Sequence, residues 1–600
     1  MFDLLEKVNS PLDLKKLSVE ELSAYATQVR DFVMQKVTQN GGHLSSNLGV
    51  VELTIALHYV FSSPQDKIIF DVGHQSYTHK IITGRVDGFD KLRHDGGITG
   101  FPNEKESEHD HFTTGHSSTS LSLGVGMARA RDILNQDYNV VSVIGDGAFT
   151  GGMAYEALND IGANREKMII VLNDNNMSIS KNVGAFSQYL AKLRLSKKYT
   201  AIKYNVKKSV KALPFFGDRF VRVLDRIKDN FKFSLIPNKM FENFGVKYYG
   251  PFDGHDIPTL ISVLKMVKNT TRPVLLHVVT KKGKGVETVE EAPGAYHGVS
   301  PAGDKKSTPY CSVVSEKLCE MGESDEKVVA VTAAMSDGTG LTEFSKKYPN
   351  RYFDVGIAEQ HAVSMCAGLQ KAGLKPYFAV YSSFLQRAYD QVLSDICIDN
   401  RGVTLLIDHA GVVGGDGVTH QGIYDISYLT AMPNMTVMQP KDGVELKNMM
   451  QFSLTCARPL AIRYPKSYET EYSEHKPVDL SWEWIRKTNS NVYILAVGSK
   501  MLDIALKNDE ANVISARVIK PLDEELLKNI SSGHLITMEE GVLRGGFGEM
   551  VNAFYEHSDS VKVHSLGFGD VFFDKLEENA IFACAGVTET ALNELVEKCK

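Results

Sequence analysis

Two short polar turns, each directly after an apolar run, carry residues suited to hold a metal ion. Gly145-Asp-Gly147 follows the run VVSVI, and Asn173-Asp-Asn175 follows MIIVL. Carboxylate and amide oxygens are hard ligands that suit Mg²⁺, and glycines let a backbone approach a pyrophosphate closely. Either turn alone would be an ordinary loop sequence. Asp146 and Asn175 lie 29 residues apart, each just beyond the carboxyl end of a predicted strand. Because parallel sheets build ligand sites at that edge, the pair predicts a site for a metal-bound diphosphate.

Strand-like apolar runs alternate with helix-like segments along the whole chain. Glycine, asparagine or aspartate bounds many of these runs, as is typical of βαβ units. Helices are predicted from the capping box Ser18-Val-Glu-Glu21 onward, over Leu48–Phe61 and over Thr588–Lys600. The predicted strands are Lys67–Asp71, Val140–Ile144, Met168–Leu172, Pro273–Thr280, a run from Lys327, Lys375–Tyr381, Thr404–Asp408, Leu460–Tyr464, Val492–Gly498, Val513–Val518 and His534–Glu539.

The pattern predicts an α/β protein with three domains, each a mainly parallel sheet flanked by helices. Two polar stretches mark the boundaries. The first, near residues 293–303, is rich in proline and glycine, and the second spans residues 465–489. The three domains are predicted to span residues 1–305, 306–480 and 481–600.

Composition excludes several classes of protein. The 600 residues are 43% hydrophobic and 23% charged with a net charge of -7, which is typical of a globular chain and argues against nucleic acid as a partner. One local exception is Ala191–Lys211, which is basic throughout and contains no acid. This stretch predicts either a solvated helix or mobile excursion, or a flap that gathers anionic substrates.

The cysteines and the apolar runs indicate the compartment. None of the seven cysteines forms a Cys-x-x-Cys pair, so neither a disulfide framework nor a zinc site is expected. A reducing, cytoplasmic location is expected instead. The first residues, MFDLLEKVNSPLDLKK, have no apolar core, so no secretory signal is expected. No run approaches about 18 apolar residues, which predicts no membrane span.

Longer segments resemble one known family in the same order along the chain. They are His43–Gly49 (HLSSNLG), Asp71–Gln75 (DVGHQ), Gly115–Ser120 (GHSSTS), Asn173–Ser180 (NDNNMSIS), Asp354–Val363 (DVGIAEQHAV), Tyr381–Gln391 (YSSFLQRAYDQ), Gly415–Gly422 (GDGVTHQG) and Ala461–Pro465 (AIRYP). With the Gly-Asp-Gly turn, they resemble the 1-deoxy-D-xylulose-5-phosphate synthase family of thiamine diphosphate-dependent, transketolase-like enzymes. The resemblance implies a homodimer whose cofactor binds between the first and second domains.

The resemblance also implies how the cofactor is held. Asp146, Asn175 and the backbone carbonyl of Met177 match the family's Mg²⁺ ligands, and Glu359 matches the carboxyl group that activates the pyrimidine ring of thiamine diphosphate. An isolated glutamate is usually a surface residue, but Glu359 lies between an apparent strand and an apolar helix. The other matched cofactor-binding residues are His74, Gly115, His116, Ser117, Gly147, Ala148, Lys282, Ile357 and Phe384.

Four histidines and a set of polar residues match catalytic and substrate-binding positions. His43, His74, His297 and His420 are the matched histidines, of which His43 and His420 are expected to transfer protons or to hydrogen-bond the reacting carbonyl and hydroxyl groups. The residues expected to bind the phosphorylated acceptor are Tyr381, Arg387, Asp416, His420 and Arg463. The chain departs from the family at His409, in Asp408-His-Ala-Gly411, where the family usually has arginine; this puts acceptor affinity or choice in question.

The implied activity is the condensation of pyruvate with D-glyceraldehyde 3-phosphate, which gives 1-deoxy-D-xylulose 5-phosphate and CO₂ for isoprenoid (terpenoid), thiamine and pyridoxal phosphate synthesis. One alternative is a transketolase acting on sugar phosphates; that class usually reads Arg-Glu-His where this chain has Ala358-Glu-Gln-His361. A second alternative is a catalytically inactive binding protein on the same fold, which the presence of Asp146, Asn175 and Glu359 disfavours.

Overall fold

The computed structural model describes residues 2–175, 177, 183–194, 239–300, 307–474, 477–574 and 577–600. These residues belong to two compact units, Met1–Asp304 and Lys305–Lys600. The predicted basic stretch Ala191–Lys211 lies outside the described residues beyond Arg194.

The first unit is built on a parallel sheet of five strands among its described residues, in the spatial order β1-β2-β3-β5-β4. The strands are β1 Lys67–Phe70, β2 Val140–Gly145, β3 Ile169–Asp174, β4 Lys247–Asp253 and β5 Val274–Val279. Gly145 at the end of β2 pairs with Asn173 near the end of β3. The two polar turns therefore leave the sheet side by side, at its carboxyl edge.

Helices cover both faces of this sheet. Along β2, Val141 and Val143 pack into one hydrophobic cluster, whereas Val140 and Ile144 pack into the other, which is the two-residue alternation of a strand buried on both sides. The helix Val19–Asn40 begins at Ser18 with the predicted capping box. The helices described in this unit are Pro11–Leu14, Val19–Asn40, Ser45–Leu48, Val51–Val60, Tyr77–Ile82, Asp87–Lys91 (3₁₀), Ser120–Ile133, Ala148–Thr150 (3₁₀), Gly152–Asn164, Ala185–Arg194, Lys239–Asn243, Ile257–Lys268 and Glu287–Glu291.

The second unit contains two larger sheets and a two-stranded ribbon within its described residues. The seven-stranded sheet has the order β17-β11-β12-β10-β9-β7-β8, and the five-stranded sheet has the order β14-β16-β15-β18-β19. The strands are β6 Thr308–Pro309, β7 Val328–Thr332, β8 Tyr352–Asp354, β9 Lys375–Tyr381, β10 Thr404–Asp408, β11 Thr436–Met438, β12 Leu460–Arg463, β13 Ser467–Tyr468, β14 Glu483–Arg486, β15 Val492–Ala496, β16 Asn512–Ser515, β17 Val518–Lys520, β18 Gly533–Val542 and β19 Val561–Phe568.

Most neighbouring strands of these sheets are parallel. The exceptions are β17 against β11, β14 against β16, and the ribbon of β6 and β13, which are antiparallel pairs. The helices described in this unit are Tyr310–Ser324, Thr342–Lys347, Pro349–Arg351 (3₁₀), Glu359–Lys371, Ser382–Leu385, Gln386–Ala388 (3₁₀), Tyr389–Gln391, Val392–Cys397 (π), Gly417–Thr419 (3₁₀), Asp425–Thr430, Gly443–Ser453, Gly498–Ala505, Glu524–Asn529, Phe547–Phe554, Glu578–Ala585 and Glu589–Cys599.

The fold class predicted from the sequence is confirmed: helices flank mostly parallel sheets. One predicted strand is wrong. Val513–Val518 is two strands, because β16 pairs with β15 whereas β17 turns away to pair with β11 of the other sheet. The division of the second unit near residue 480 stays a prediction. Each of the seven cysteines, all within the described ranges, is free, and no helix among the described residues is both long and apolar enough to cross a membrane.

Candidate active site

A backbone hydrogen bond joins the two polar turns of the first unit, and a side-chain bond holds the first turn. The Asp146 N–H donates to the Asn173 carbonyl at 3.1 Å, and the Gly147 N–H donates to Asp146 Oδ1 at 3.1 Å. Asn175 Oδ1 accepts a hydrogen bond from the Met177 N–H at 3.0 Å. The structure thus brings the predicted metal ligands to adjoining turns, and Asp146 is buried there.

Lys282 adds a positive charge beside the first of these turns. Its side chain is only 5% exposed. Burial lowers the pKa of the Lys282 ammonium to about 8, while the carboxylate of Asp146 acts in the opposite direction. A desolvated ammonium gains most from an anionic partner, so this position favours a bound diphosphate over neutral groups.

A third turn of the first unit is held by Asp71. Its carboxylate accepts hydrogen bonds from the N–H groups of Ser118 (2.7 Å) and Ser120 (3.0 Å). Ser118 has a φ of 71°, and its hydroxyl donates to the Ala148 carbonyl at 2.7 Å. These bonds hold Ser118 next to Ala148, at the end of the segment that contains the predicted cofactor-binding residues Gly115, His116 and Ser117. The sequence contained Asp71 in a motif, but its type gave no sign of this role.

Three of the predicted histidines form one cluster. The ring centroids of His43 and His74 are 5.6 Å apart, those of His43 and His297 are 5.8 Å apart, and those of His74 and His297 are 5.2 Å apart. Desolvation, with a smaller effect from the charge of Lys282, lowers the pKa of His74 to about 3 and holds that of His297 well below its ordinary value. Both imidazoles are therefore neutral at pH 7 and can exchange hydrogen bonds with a neutral or anionic substrate.

Asn47 positions two of these histidines. Its Nδ2 donates to the carbonyls of His43 (2.7 Å) and His74 (2.8 Å), and its Oδ1 accepts from the Tyr77 N–H at 2.8 Å. Asn47 thereby links the loops that carry His43 and His74. Its role was missed because two of its partners, the His74 carbonyl and the Tyr77 N–H, are backbone atoms of a distant segment. Ser46 was missed for a similar reason; its Oγ lies 3.3 Å from His297 Nδ1.

Glu359 is the buried carboxyl group of the second unit. It is the first residue of the helix Glu359–Lys371, directly after the half-buried Ile357 and Ala358. It is 4% exposed, and its Oε2 lies 3.5 Å from Arg387 Nη1. Burial raises the pKa of Glu359, whereas the charge of Arg387 lowers it. Within the described residues no hydrogen bond reaches Glu359 Oε2.

Four of the residues predicted to bind the substrate or the cofactor form one cluster of aromatic rings. The Tyr381 ring stacks on His409, with centroids 3.9 Å apart, and lies nearly parallel to Phe384 at 5.5 Å. The ring of His420 meets Phe384 edge-on at 5.7 Å. His409 has a φ of 54°, and its Nδ1 lies 2.9 Å from Asp408 Oδ1. The stack follows the carboxyl ends of β9 and β10, where parallel sheets bind ligands.

The remaining predicted substrate residues differ in exposure. Asp416 is half-buried at the start of the turn Gly417–Thr419. Arg463 is completely buried, and all three of its guanidinium nitrogens donate inside the unit: to both carboxylate oxygens of Asp425, to Gln439 and to two backbone carbonyls. A substrate phosphate would have to compete with these bonds, so the structure gives Arg463 a structural role, and its phosphate contact stays a prediction.

Family comparisons cover three stretches of the chain. Residues 5–280 match the family described as 1-deoxy-D-xylulose-5-phosphate synthase, residues 306–469 match the transketolase pyrimidine binding domain, and residues 482–592 match the transketolase C-terminal domain. Fold and matches together define a transketolase-like α/β enzyme that uses thiamine diphosphate.

Relatives along the whole length define the family. The proteins named 1-deoxy-D-xylulose-5-phosphate synthase from Clostridium tetani and Caldanaerobacter subterraneus are 47% and 46% identical to this chain; the alignments cover 100% and 99% of this chain, and 100% and 98% of the relatives. The chain belongs to the 1-deoxy-D-xylulose-5-phosphate synthase family, as its motifs predict, and is a thiamine diphosphate-dependent transferase. Among solved structures, transketolase from Campylobacter jejuni is 18% identical with a TM-score of 0.43, over 97% of this chain and 100% of that chain.

The described residues fit the family's cofactor. The first unit offers hard oxygen atoms and a buried ammonium, which suit a diphosphate and its metal ion. The second unit offers the buried Glu359 carboxyl, whose Oε2 accepts no hydrogen bond from the described residues, together with the aromatic ring of Phe384. A buried polar atom of this kind costs free energy unless a partner arrives, and a ring nitrogen of the cofactor is a suitable partner.

Proposed function

We propose that this protein decarboxylates pyruvate and joins the remaining two-carbon unit to D-glyceraldehyde 3-phosphate, which yields 1-deoxy-D-xylulose 5-phosphate and CO₂. The observation that carries the proposal is the buried Glu359 carboxyl at the start of its helix, together with full-length similarity to the family. When bound, thiamine diphosphate supplies the electron sink that decarboxylation of a 2-oxo acid requires. The product would enter isoprenoid synthesis.

The first unit would hold the diphosphate end of the cofactor. Asp146 and Asn175, with the carbonyl of Met177, would bind Mg²⁺, and Lys282 would neutralise the remaining phosphate charge. The imidazoles of His43, His74 and His297 would donate or accept hydrogen bonds at the carboxylate and carbonyl oxygens of the substrates. Their close spacing supports this assignment, since one small substrate can contact all three rings.

The second unit would hold the pyrimidine end and the phosphorylated acceptor. Glu359 would hydrogen-bond the pyrimidine ring, with Ile357 and Phe384 in apolar contact with the cofactor. Arg387 and the residues around the aromatic stack, Tyr381, His409, Asp416 and His420, would bind the acceptor. Arg387 supports both tasks, because its guanidinium lies beside Glu359 and also carries the charge that a phosphate needs.

An assay of donor choice separates this function from the transketolase alternative. The purified full chain, with thiamine diphosphate and Mg²⁺, is expected to release CO₂ from pyruvate and to form a five-carbon product when D-glyceraldehyde 3-phosphate is added. A transketolase would instead transfer two carbons from xylulose 5-phosphate without CO₂ release. No CO₂ release from pyruvate at any acceptor concentration would refute the proposal, and failure to bind the cofactor in calorimetry would favour the inactive alternative.

The metal requirement has its own test. Asp146→Ala removes a carboxylate ligand, so we expect weaker binding of thiamine diphosphate that excess Mg²⁺ partly restores. Asp160→Ala, at a partly exposed carboxylate of the same unit, is the matched control. Unchanged cofactor affinity in Asp146→Ala would mean that the Gly-Asp-Gly turn is structural only.

The homodimer, the cytoplasmic location and the three-domain division are further parts of the proposal. They are supported by the resemblance of the motifs to the family. Analytical ultracentrifugation of the full chain tests the dimer, which should sediment at about twice the chain mass of 66.3 kDa.

A further inference from the structure

Two histidines and a cysteine meet at one side of the five-stranded sheet, in the part of the second unit farthest along the sequence. His534 lies on β18, His564 lies on the edge strand β19, and Cys599 ends the helix Glu589–Cys599. One nitrogen of each histidine and the sulfur of Cys599 all lie within 4.8 Å of one another. None of these residues belongs to the candidate active site.

The strands place the two histidines on one face of the sheet. His534 pairs with Lys562, and His564 pairs with Ile536 two residues further along β18. Because side chains two residues apart in a strand share a face, His534 and His564 are diagonal neighbours. Ile536 and Cys599 belong to the same hydrophobic cluster, which shows that the helix packs on this face. All three side chains are therefore held by regular elements rather than by loops.

We propose that His534, His564 and Cys599 form a binding site for a borderline-soft divalent cation such as Zn²⁺. Imidazole nitrogens and a thiolate are the ligands that this class of ion prefers over Mg²⁺. The fourth position of a tetrahedron would be filled by water. The bound ion would tie the end of the helix Glu589–Cys599 to the edge of the sheet.

The distances agree with this chemistry. His534 Nδ1 and His564 Nε2 are 3.1 Å apart; two nitrogens on one tetrahedral zinc ion with bonds of about 2.0–2.1 Å lie about 3.3 Å apart. Without an ion, the two rings share a hydrogen bond at this distance. Ion binding replaces that bond: the donor ring moves its proton to its other nitrogen, and each ring turns its lone pair toward the ion.

Ion binding is coupled to proton release from the ligands. Burial, aided by the nearby His534 and Lys562, lowers the pKa of His564, a direction that favours the neutral ring over the charged one. Burial raises the pKa of the Cys599 thiol, while the charge of Lys562 acts in the opposite direction. The ion must therefore displace the thiol proton, which leaves to solvent as the sulfur–metal bond forms. The Lys562 side chain is exposed and can extend away from the bound ion.

Cobalt is the probe that distinguishes this site from the oxygen-rich magnesium site. Full-length protein, stripped of trace metal and then saturated with thiamine diphosphate and excess Mg²⁺, is titrated with Co²⁺ under reducing conditions. Ligation by a thiolate gives an intense near-ultraviolet charge-transfer band, which oxygen ligands do not give. We expect this band in the wild-type protein, with its loss in Cys599→Ser. The matched control is Cys584→Ser, which removes an exposed cysteine and should keep the band.

A second variant separates ligation from folding. His534→Gln changes a half-buried residue and should also lose the band, while both His534→Gln and Cys599→Ser keep cofactor-dependent activity. Competition with Zn²⁺ should show an affinity at least about 100-fold lower in Cys599→Ser, since even residues that only support a ligand cost 10–100-fold. Absence of the band in the wild-type protein, or an equal band in Cys599→Ser, would overturn the proposal.

Discussion

Glu359 has almost no contact with water, and a guanidinium lies 3.5 Å from one of its oxygens. Burial favours the neutral carboxyl group, and Arg387 favours the carboxylate. Burial has the larger effect, so the pKa of Glu359 is raised, and a raised pKa suits the proposed exchange of a proton with a ring nitrogen of the cofactor. Binding of a phosphate to Arg387 would withdraw positive charge and shift the carboxyl group further toward its neutral form.

The change Glu359→Gln keeps the size of the side chain but removes its exchangeable carboxyl proton. We expect kcat to fall by about 10²–10⁴, with little change in the affinity for thiamine diphosphate, because the diphosphate end is held by other residues. Steady-state kinetics and calorimetry measure the two quantities. Glu343→Gln, an exposed glutamate of the same unit, is the control. Turnover close to wild type at saturating cofactor would remove Glu359 from this role.

His409 stands where the resemblance to the family predicts an arginine, and it stacks on Tyr381. An arginine there would add a permanent charge and a planar pair of donors for a phosphate. We therefore expect His409→Arg to lower the KM for D-glyceraldehyde 3-phosphate by about tenfold, the equivalent of one charged hydrogen bond. The KM for pyruvate should stay the same, since pyruvate has no phosphate. His557→Arg tests the effect of an added surface charge; equal KM changes in both variants would contradict the prediction.

At the scale of elements, the side-chain amide of Asn47 joins the two loops that carry His43 and His74, which are predicted to be catalytic. Asn47→Ala leaves a buried N–H and two carbonyls without their partner. We expect unfolding free energy to fall by about 2–4 kcal/mol, and kcat to fall because His43 and His74 lose their common support. Urea unfolding and kinetics check both effects. Asn164→Ala, at an exposed asparagine of the same unit, should change neither.

The sequence predicted the strands correctly where one uninterrupted apolar run forms one strand. Lys375–Tyr381 and Thr404–Asp408 were predicted with the observed bounds, since polar or glycine-rich segments end both runs. Strand β4 was missed because Gly250 and Pro251 interrupt it, and β19 because a half-exposed edge strand tolerates Lys562, His564 and Ser565. In the candidate site, the Gly-Asp-Gly turn indicated Asp146, and the resemblance to the family indicated Glu359. Neither indicated the roles of Asp71 and Asn47, whose partners include backbone groups far away in sequence.

At the scale of the whole second unit, two buried glutamates at adjacent positions on β18 connect the five-stranded sheet to neighbouring segments. Glu539 accepts hydrogen bonds from the N–H groups of Phe547 and Gly548 at the start of a helix. Glu540 Oε2 lies 3.4 Å from the Val412 N–H and so close to Gly411 that a side chain there would clash. Burial raises the pKa of both carboxyl groups to about 7. Between the ordinary glutamate pKa and about pH 7, these two carboxyl groups therefore keep their protons in the folded protein but lose them in the unfolded chain.

This difference predicts how stability depends on pH. Because the folded-state pKa is raised, the stabilisation that each of these two carboxyl groups contributes is fully present below about pH 4.5 and is lost as pH rises through about 7. This stabilisation amounts to at most about 3 kcal/mol for each group. Glu540→Gln mimics the neutral carboxyl group, so the loss of urea resistance between pH 5 and pH 8 should be smaller in this variant. Glu556→Gln, at an exposed site, should follow the wild-type curve. Parallel curves for wild type and Glu540→Gln would show that Glu540 is not protonated in the folded state.

Strand β17 lies beyond residue 480 in sequence, yet it completes the edge of the seven-stranded sheet by pairing with β11. Lys520 at its end also donates to the carbonyls of Thr430 and Met432. A chimera that exchanges residues 481–600 between relatives therefore replaces the edge strand β17 of the seven-stranded sheet together with the five-stranded sheet. A truncation at 480 uncovers the backbone of β11 and invites aggregation by edge pairing. Successful recombination of this protein would keep Val518–Lys520 and Thr436–Met438 from the same parent.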